Sequence, residues 1–313
     1  MLIVRCFEDQ FHIQSGDGNR TENIDYVFTE DIDWLAIHQM PAIHQILDDN
    51  RISQFRNVEI RRLAIPSVNF AHRFVQLHPG NIPRIYINAP ISDLAEFVLV
   101  NSMANKDVKI IIQVNNIEGL TSDHFINEYI FYEIVDDGPQ SDIKLVLENA
   151  KNIICNSDIS FDNVDLQKCV YNNFVMDFYS PLDYDDISRI LDKITVKTFE
   201  SYVSLGTGMT DMLAKVKIPN IVLKGTNGFM IVGEEGGIPV LDIDPLLKNP
   251  VIESIKITNK DVTYTKELLE SNHMIKELVI TGPECDQEFI AEICEANKYG
   301  IRYLRTKSAR SAP

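Results

Sequence analysis

Basic side chains are scarce in this chain, with 29 lysines and arginines against 46 aspartates and glutamates and a formal charge of −17. A field of that sign argues against generic nucleic-acid or anionic-membrane binding, while leaving room for a local basic patch. Cysteine is sparse too. Cys6, Cys155, Cys169, Cys285 and Cys294 are unevenly spaced and include no Cys-x-x-Cys pair, which favours reduced thiols over a disulfide framework. No run approaches the roughly 18 apolar residues of a membrane-spanning helix. The first residues lack a basic stretch followed by an apolar one. A cytoplasmic or nuclear setting is therefore expected. A Gly-x-Ser-x-Gly elbow is also missing, so no serine stands in a recognisable nucleophile setting.

What the sequence has is apolar pattern. Hydrophobic residues make up 45% of the 313, enough for a large core in two domains or one elongated stack. IPNIVL from Ile218, IESIKI from Ile252 and IKELVI from Ile275 share the register apolar-x-x-apolar-x-apolar, and IRYLRT from Ile301 follows it loosely. Short alternation of this kind marks a strand with one buried face. Between these runs, DVTYTKELLESN and ECDQEFIAEICEANK place apolar residues at helical spacing. The unit is strand, turn, helix, turn. Earlier copies are IRRLAI from Ile60, IPRIYI from Ile82, the looser VKIIIQV from Val108, and AKNIIC from Ala150.

Other stretches punctuate this pattern. LIVRCFEDQFHIQ reads as two strand pieces and SGDGNRTEN as a polar loop. IDYVFTEDIDWLAIHQMPAIHQILDDN reads as helix broken at Pro41. Residues 1–55 are thus expected to form an amino-terminal cap, 56–306 the repeat region and 307–313 a flexible tail. Ser92 is the expected N-cap of one helix, and Pro181 opens another. DDGPQSD is expected to be a surface loop, and FMIVGEEGGIPVLDID a hairpin or loop insertion turning at Gly236 and Gly237.

The strand runs at Ile60, Ile82, Ala150, Ile218, Ile252 and Ile275 resemble the leucine-rich-repeat family, whose repeats span roughly 20–29 residues. Ile and Val replace most leucines, and the asparagine expected after the third apolar residue is mostly missing; Asn88 and Asn259 build no ladder. The pattern also looks like the divergent repeats attached to F-box substrate receptors, without a visible F-box in the first 55 residues. The resemblance implies an α/β fold, an irregular solenoid with a parallel sheet. The same string of strands and helices fits a compact α/β domain.

A stack of this kind binds partner proteins on the outward residues of successive strands. In the expected register these are Arg62, Arg84, Tyr86, Asn88, Asn220, Lys224, Ser254, Lys256, Thr258, Glu277, Thr281, Tyr303 and Arg305. Several are basic in an acidic chain, so the expected partner is another protein, met through an acidic segment. The expected role is that of a non-catalytic scaffold or adaptor. The alternative is an α/β enzyme with a phosphate- or nucleotide-binding turn at Gly206 and Gly208, but Asp211 falls where that fingerprint needs its third glycine. GEEGG at 233–237 is still less suited to phosphate. His38 and His44, and His72 and His78, are spaced to opposite sides of a helix and do not share a metal. Asp183, Asp185 and Asp186 read as a solvated helix start. No cofactor or metal is implied.

Overall fold

The computed structural model describes residues 2–7, 10–23, 26–37, 55, 57–115, 117–134, 140–155, 161, 163–176, 184–201, 207–224, 241–258, 262–272 and 274–281. The chain is α/β with a mostly parallel sheet, and it divides into two compact units, 1–152 and 153–313.

In the first unit, β1 (Ile3–Cys6), β2 (Gln10–Ser15) and β3 (Gly18–Asn23) form an antiparallel meander. Parallel to β1 run β4 (Trp34–Ile37), β5 (Arg62–Ile65), β6 (Arg84–Ile87), β7 (Lys109–Ile112) and β8 (Ile130–Ile134), each beside its predecessor. Helices α1 (Val68–Leu77) and α2 (Leu94–Met103) connect β5 to β6 and β6 to β7 and pack side by side; α3 (Gln140–Asn149) follows β8.

The second unit repeats the plan. Strands β9 (Asn152–Cys155), β10 (Val170–Met176), β11 (Thr195–Ser201), β12 (Asn220–Lys224), β14 (Ser254–Thr258) and β16 (Glu277–Thr281) lie in chain order. A separate parallel pair joins β13 (Leu241–Asp242) to β15 (Val262–Thr263). Helices α4 (Tyr184–Leu191), α5 (Thr207–Leu213), α6 (Asp244–Leu247) and α7 (Lys266–Ser271) each pack against the next.

The apolar triplets explain this succession. Each sends its three side chains to the same side, because the strand alternates after the first turn residue. Ile60, Leu63 and Ile65 are fully buried, as are Ile252, Ile255 and Ile257. Ile85, Ile87, Ile221, Leu223, Leu278 and Ile280 are buried as the register requires. At the alternate positions of these strands, Arg62, Arg84, Tyr86 and Phe131 are partly exposed, while Ala36, Ala64 and Ile111 are buried.

Several local readings change. The expected helix over 24–50 contains β4, because Ile32, Leu35 and Ile37 form the same buried triplet; Leu35, Ala36 and Ile37 in a row mimic a helical stripe. The expected loop after Ser15 is largely β3, an edge strand too polar for the alternation test. It starts at Gly18, whose φ of 124° calls for glycine. Asp93, not Ser92, caps α2, accepting from the amides of Ala95 and Glu96 at 2.6 and 3.3 Å. Gln140–Asp142, expected in a loop, open α3, and Val262–Thr263, expected in a helix, are strand. Pro41, Pro181, Gly236, Gly237 and everything beyond residue 281, including the Ile301 run and the tail, lie outside the described residues.

Burial also fixes thiol chemistry. Desolvation pushes the Cys6 thiol up to about 12 and raises that of Cys155. Both therefore stay protonated near neutral pH, and the thiolate is the reactive form. We expect Cys6 and Cys155 to resist alkylation at pH 8 in the native protein and to react on unfolding, as read by peptide mass spectrometry.

Candidate functional site

The partly exposed face of the first unit is assembled from the residues of β4 to β8 that alternate with the buried triplets. The register sets Arg62 directly opposite Arg84, and Arg84 opposite Lys109. Trp34 precedes Leu35 as Arg62 precedes Leu63, so it begins the same row. The next row holds Arg5, Ala36, Ala64, Tyr86, Ile111 and Phe131. Its two alanines leave room for larger neighbours. The rings of Trp34 and Tyr86 stack with centroids 6.0 Å apart and planes 13° apart.

Each cation in the row rests beside an aromatic group. The Arg62 guanidinium lies 5.3 Å from the Trp34 ring centroid, and the Lys109 ammonium lies 5.9 Å from that of Phe131. Arg84 donates from Nη1 to the Tyr86 hydroxyl at 3.5 Å. The ring contacts hold Arg62 and Lys109 in place without neutralising them. Among the described residues, no carboxylate forms an ion pair with Arg62 or Lys109. The Trp34 indole N–H is buried and has no hydrogen-bond partner. Like charges directly opposite each other on a sheet repel, and Arg62, Arg84 and Lys109 stand in such a row.

The second unit treats its basic residues differently. Lys224 pairs with Glu200, its neighbour on β11, and Lys256 pairs with Glu277 at 3.0 Å. The Lys256 bond holds the Glu277 carboxyl below its ordinary range. Ser254, expected to point outward, is buried and donates to Glu277 at 2.9 Å. Asn220 donates to the Lys197 carbonyl at 2.8 Å, and Thr258 stands opposite Thr281.

The expected binding residues thus divide. Arg62, Arg84 and Tyr86 come together, with Asn88 exposed at the end of β6. Lys224, Lys256 and Glu277 belong to an internally paired surface. Tyr303 and Arg305 lie outside the described residues. Sequence reasoning missed Trp34, Lys109 and Phe131. The Ile32 triplet carried the signal for Trp34; Lys109 was hidden by the loose register of VKIIIQV, and β8 was not recognised as a strand.

The other candidates have structural surroundings. Gly206 lies outside the described residues, and Gly208 sits in α5, where an added Cβ would stand 2.8 Å from the Tyr184 ring of α4. Its lack of a side chain lets two helices approach. We expect Gly208→Ala to lower stability by about 1–3 kcal/mol through overpacking, read as a shifted denaturant midpoint. The ring nitrogens of buried His78 lie 3.1 Å from the Phe55 carbonyl and 3.0 Å from that of Gly80. His72 bonds Gln76 on its own helix. His38, His44, Asp183, Cys285 and Cys294 lie outside the described residues, as do the side chains of Asp185 and Asp186. Among the described residues, no group of three histidines, cysteines or carboxylates is placed to hold a metal ion, and no helix is long and apolar enough to cross a membrane.

Comparison with protein-family models gives no match, and comparison with curated proteins gives no similar sequence.

Proposed function

We propose that this chain is a non-catalytic protein-binding scaffold or adaptor, built from irregular leucine-rich-repeat-like units, which takes an acidic segment of a partner on the partly exposed face of its first unit. One observation carries the reading: Arg62, Arg84 and Lys109 stand in a single row amid an acidic chain, with Arg62 and Lys109 set against rings instead of carboxylates. The contrast with the Lys–Glu pairs of the second unit supports it, because there the same architecture neutralises its own lysines. Support for stacked units comes from strands that follow one another in chain order in each unit and from the recurring buried triplet. A cationic row in a negative field gives specificity and a faster encounter with an acidic segment.

Trp34 is the chain's single tryptophan, so the protein reports on this face unaided. Titrating the full chain with a short glutamate/serine peptide is expected to change tryptophan fluorescence saturably, with affinity falling as salt rises. An unchanged spectrum together with no binding of labelled peptide would sink the reading.

A further inference from the structure

The meander of the first unit ends in an open edge. β3 pairs with β2 from Gly18 opposite Ser15 to Asn23 opposite Gln10, in unbroken register without a bulge. Among the described residues, no strand pairs with the other side of β3. Every residue of β3 but Glu22 is exposed, and Glu22 is partly so. A Cβ added at Gly16 or Gly18 would meet nothing within 4 Å. The two-residue turn closes on the Ser15–Gly18 pair, so backbone hydrogen bonds join Ser15, Ile13 and Phe11 to Gly18, Arg20 and Glu22. The amides and carbonyls of Asn19, Thr21 and Asn23 therefore point away from β2. The Asn23 carbonyl accepts from the Tyr26 amide at 3.0 Å, where the chain leaves the edge.

We propose that β3 pairs with the β3 of a second copy of this chain, antiparallel about a two-fold axis through Thr21. In that register the strand is complementary to itself, because antiparallel pairing matches positions equally far from the axis. Thr21 meets Thr21 of the second copy, Asn19 meets its Asn23, and Arg20 meets its Glu22. The outward backbone groups all fall on hydrogen-bonded pairs. Arg20 and Glu22 fall on the pairs between them, where side chains come closest. Opposite charges and paired threonines at such places stabilise a sheet. The two charged side chains already share one face: the Arg20 Nε lies 3.7 Å from the Glu22 carboxylate, and Arg20 donates from Nη2 to the Tyr26 hydroxyl at 3.0 Å. The second copy brings each of them a further opposite charge.

The same charges make the edge selective. Arg20 and Glu22 stand opposite Ile13 and Phe11, so they occupy the face that is buried in β2. Charges on that face resist indiscriminate strand addition. A strand that satisfies both must carry arginine and glutamate two residues apart in this order, and β3 is such a strand. The two-fold axis stands normal to the sheet, so both copies present the same side. Two docking faces then serve one partner with two acidic segments, which raises avidity; the pairing itself does not depend on that reading.

An edge of six residues buries little surface, so association is expected to be weak, with half the chains paired at on the order of 10–100 μM. Sedimentation velocity of the full chain over a concentration series should show the mean mass rising towards that of two copies and no further. Arg20→Glu or Glu22→Arg alone sets like charges opposite each other at both pairs and should weaken association at least about tenfold. Arg20→Glu combined with Glu22→Arg restores opposite charges and should recover it to within about threefold. Thr21→Pro removes an outward amide, a change that edge strands tolerate, and should abolish association; circular dichroism checks that each variant is folded. A chain that stays monomeric throughout would overturn the pairing and leave β3 to a strand of another protein. Association that survives Thr21→Pro, that grows past two copies, or that a folded double variant fails to recover would overturn the two-fold register.

Discussion

Arg62→Glu is expected to weaken binding of the glutamate/serine peptide by about 100-fold, since truncating one partner of a close charge pair already costs roughly 2–5 kcal/mol. The same change should hardly affect folding. Arg62 stands directly opposite Arg84, so a glutamate there turns a like-charge cross-strand pair into an opposite-charge one. That gain offsets the lost contact with the Trp34 ring, which is worth about 0.5–1 kcal/mol. Thermal unfolding should therefore shift little. Loss of binding with stability retained separates a functional row from an ordinary solvated one. Parallel losses of both would mean that Arg62 is structural.

A second large effect is expected in the second unit, on stability alone. Asn249 is buried at 5% exposure. Its amide donates to the carbonyls of Leu213 and Val216 at 3.3 and 2.9 Å, and its side-chain oxygen accepts from the Val251 amide at 3.0 Å. The side chain thus ties the end of α6 to the turn after α5, satisfying backbone groups that helix ends leave without intrahelical partners. Asn249→Ala strips partners from buried groups, each costing about 1–3 kcal/mol, and we expect a total loss near 2–4 kcal/mol. Asn220→Ala, which removes one exposed bond to Lys197, should cost no more than about 1 kcal/mol. Urea titrations of the two variants give the comparison. Equal costs would mean that the buried bridge is not what holds successive turns together.

The asparagine bridge shows how far the sequence could be read. Asparagine was sought after the third apolar residue of each triplet, where leucine-rich repeats place it. It stands instead at the end of the preceding helix, three residues before the next triplet, at Asn249 before Ile252 and at Asn272 before Ile275. Asn272 likewise reaches back to the Leu247 carbonyl at 2.5 Å and accepts from the amides of Met274 and Ile275. Asn127 does the same in the first unit, donating to Asn101 and Ala104. A lone asparagine before a strand looks like an ordinary turn former. Its partners lie a whole repeat earlier, where local spacing does not point.

Triplets were the legible part, since three buried side chains in a fixed register need no partner to be recognised. Edge strand β3 was not, because with neither side chain row buried its sequence carries no alternation. On the binding face, Arg62, Arg84 and Tyr86 followed from the register of clear triplets. The acidic partners of Lys224 and Lys256 depend on which strand lies alongside, and Trp34 was lost when an apolar cluster was assigned the wrong period.

The central claim is that the partly exposed face of the first unit is where the partner docks. Hydroxyl-radical footprinting of the full chain, with and without saturating glutamate/serine peptide, tests it most directly because oxidation is read side chain by side chain. Trp34, Tyr86 and Phe131, all partly exposed on that face, should lose reactivity when peptide binds, while Val170 and Met274, exposed in the second unit, should react as before. Protection confined to the second unit, or full reactivity at Trp34, Tyr86 and Phe131 with peptide bound, would contradict the account.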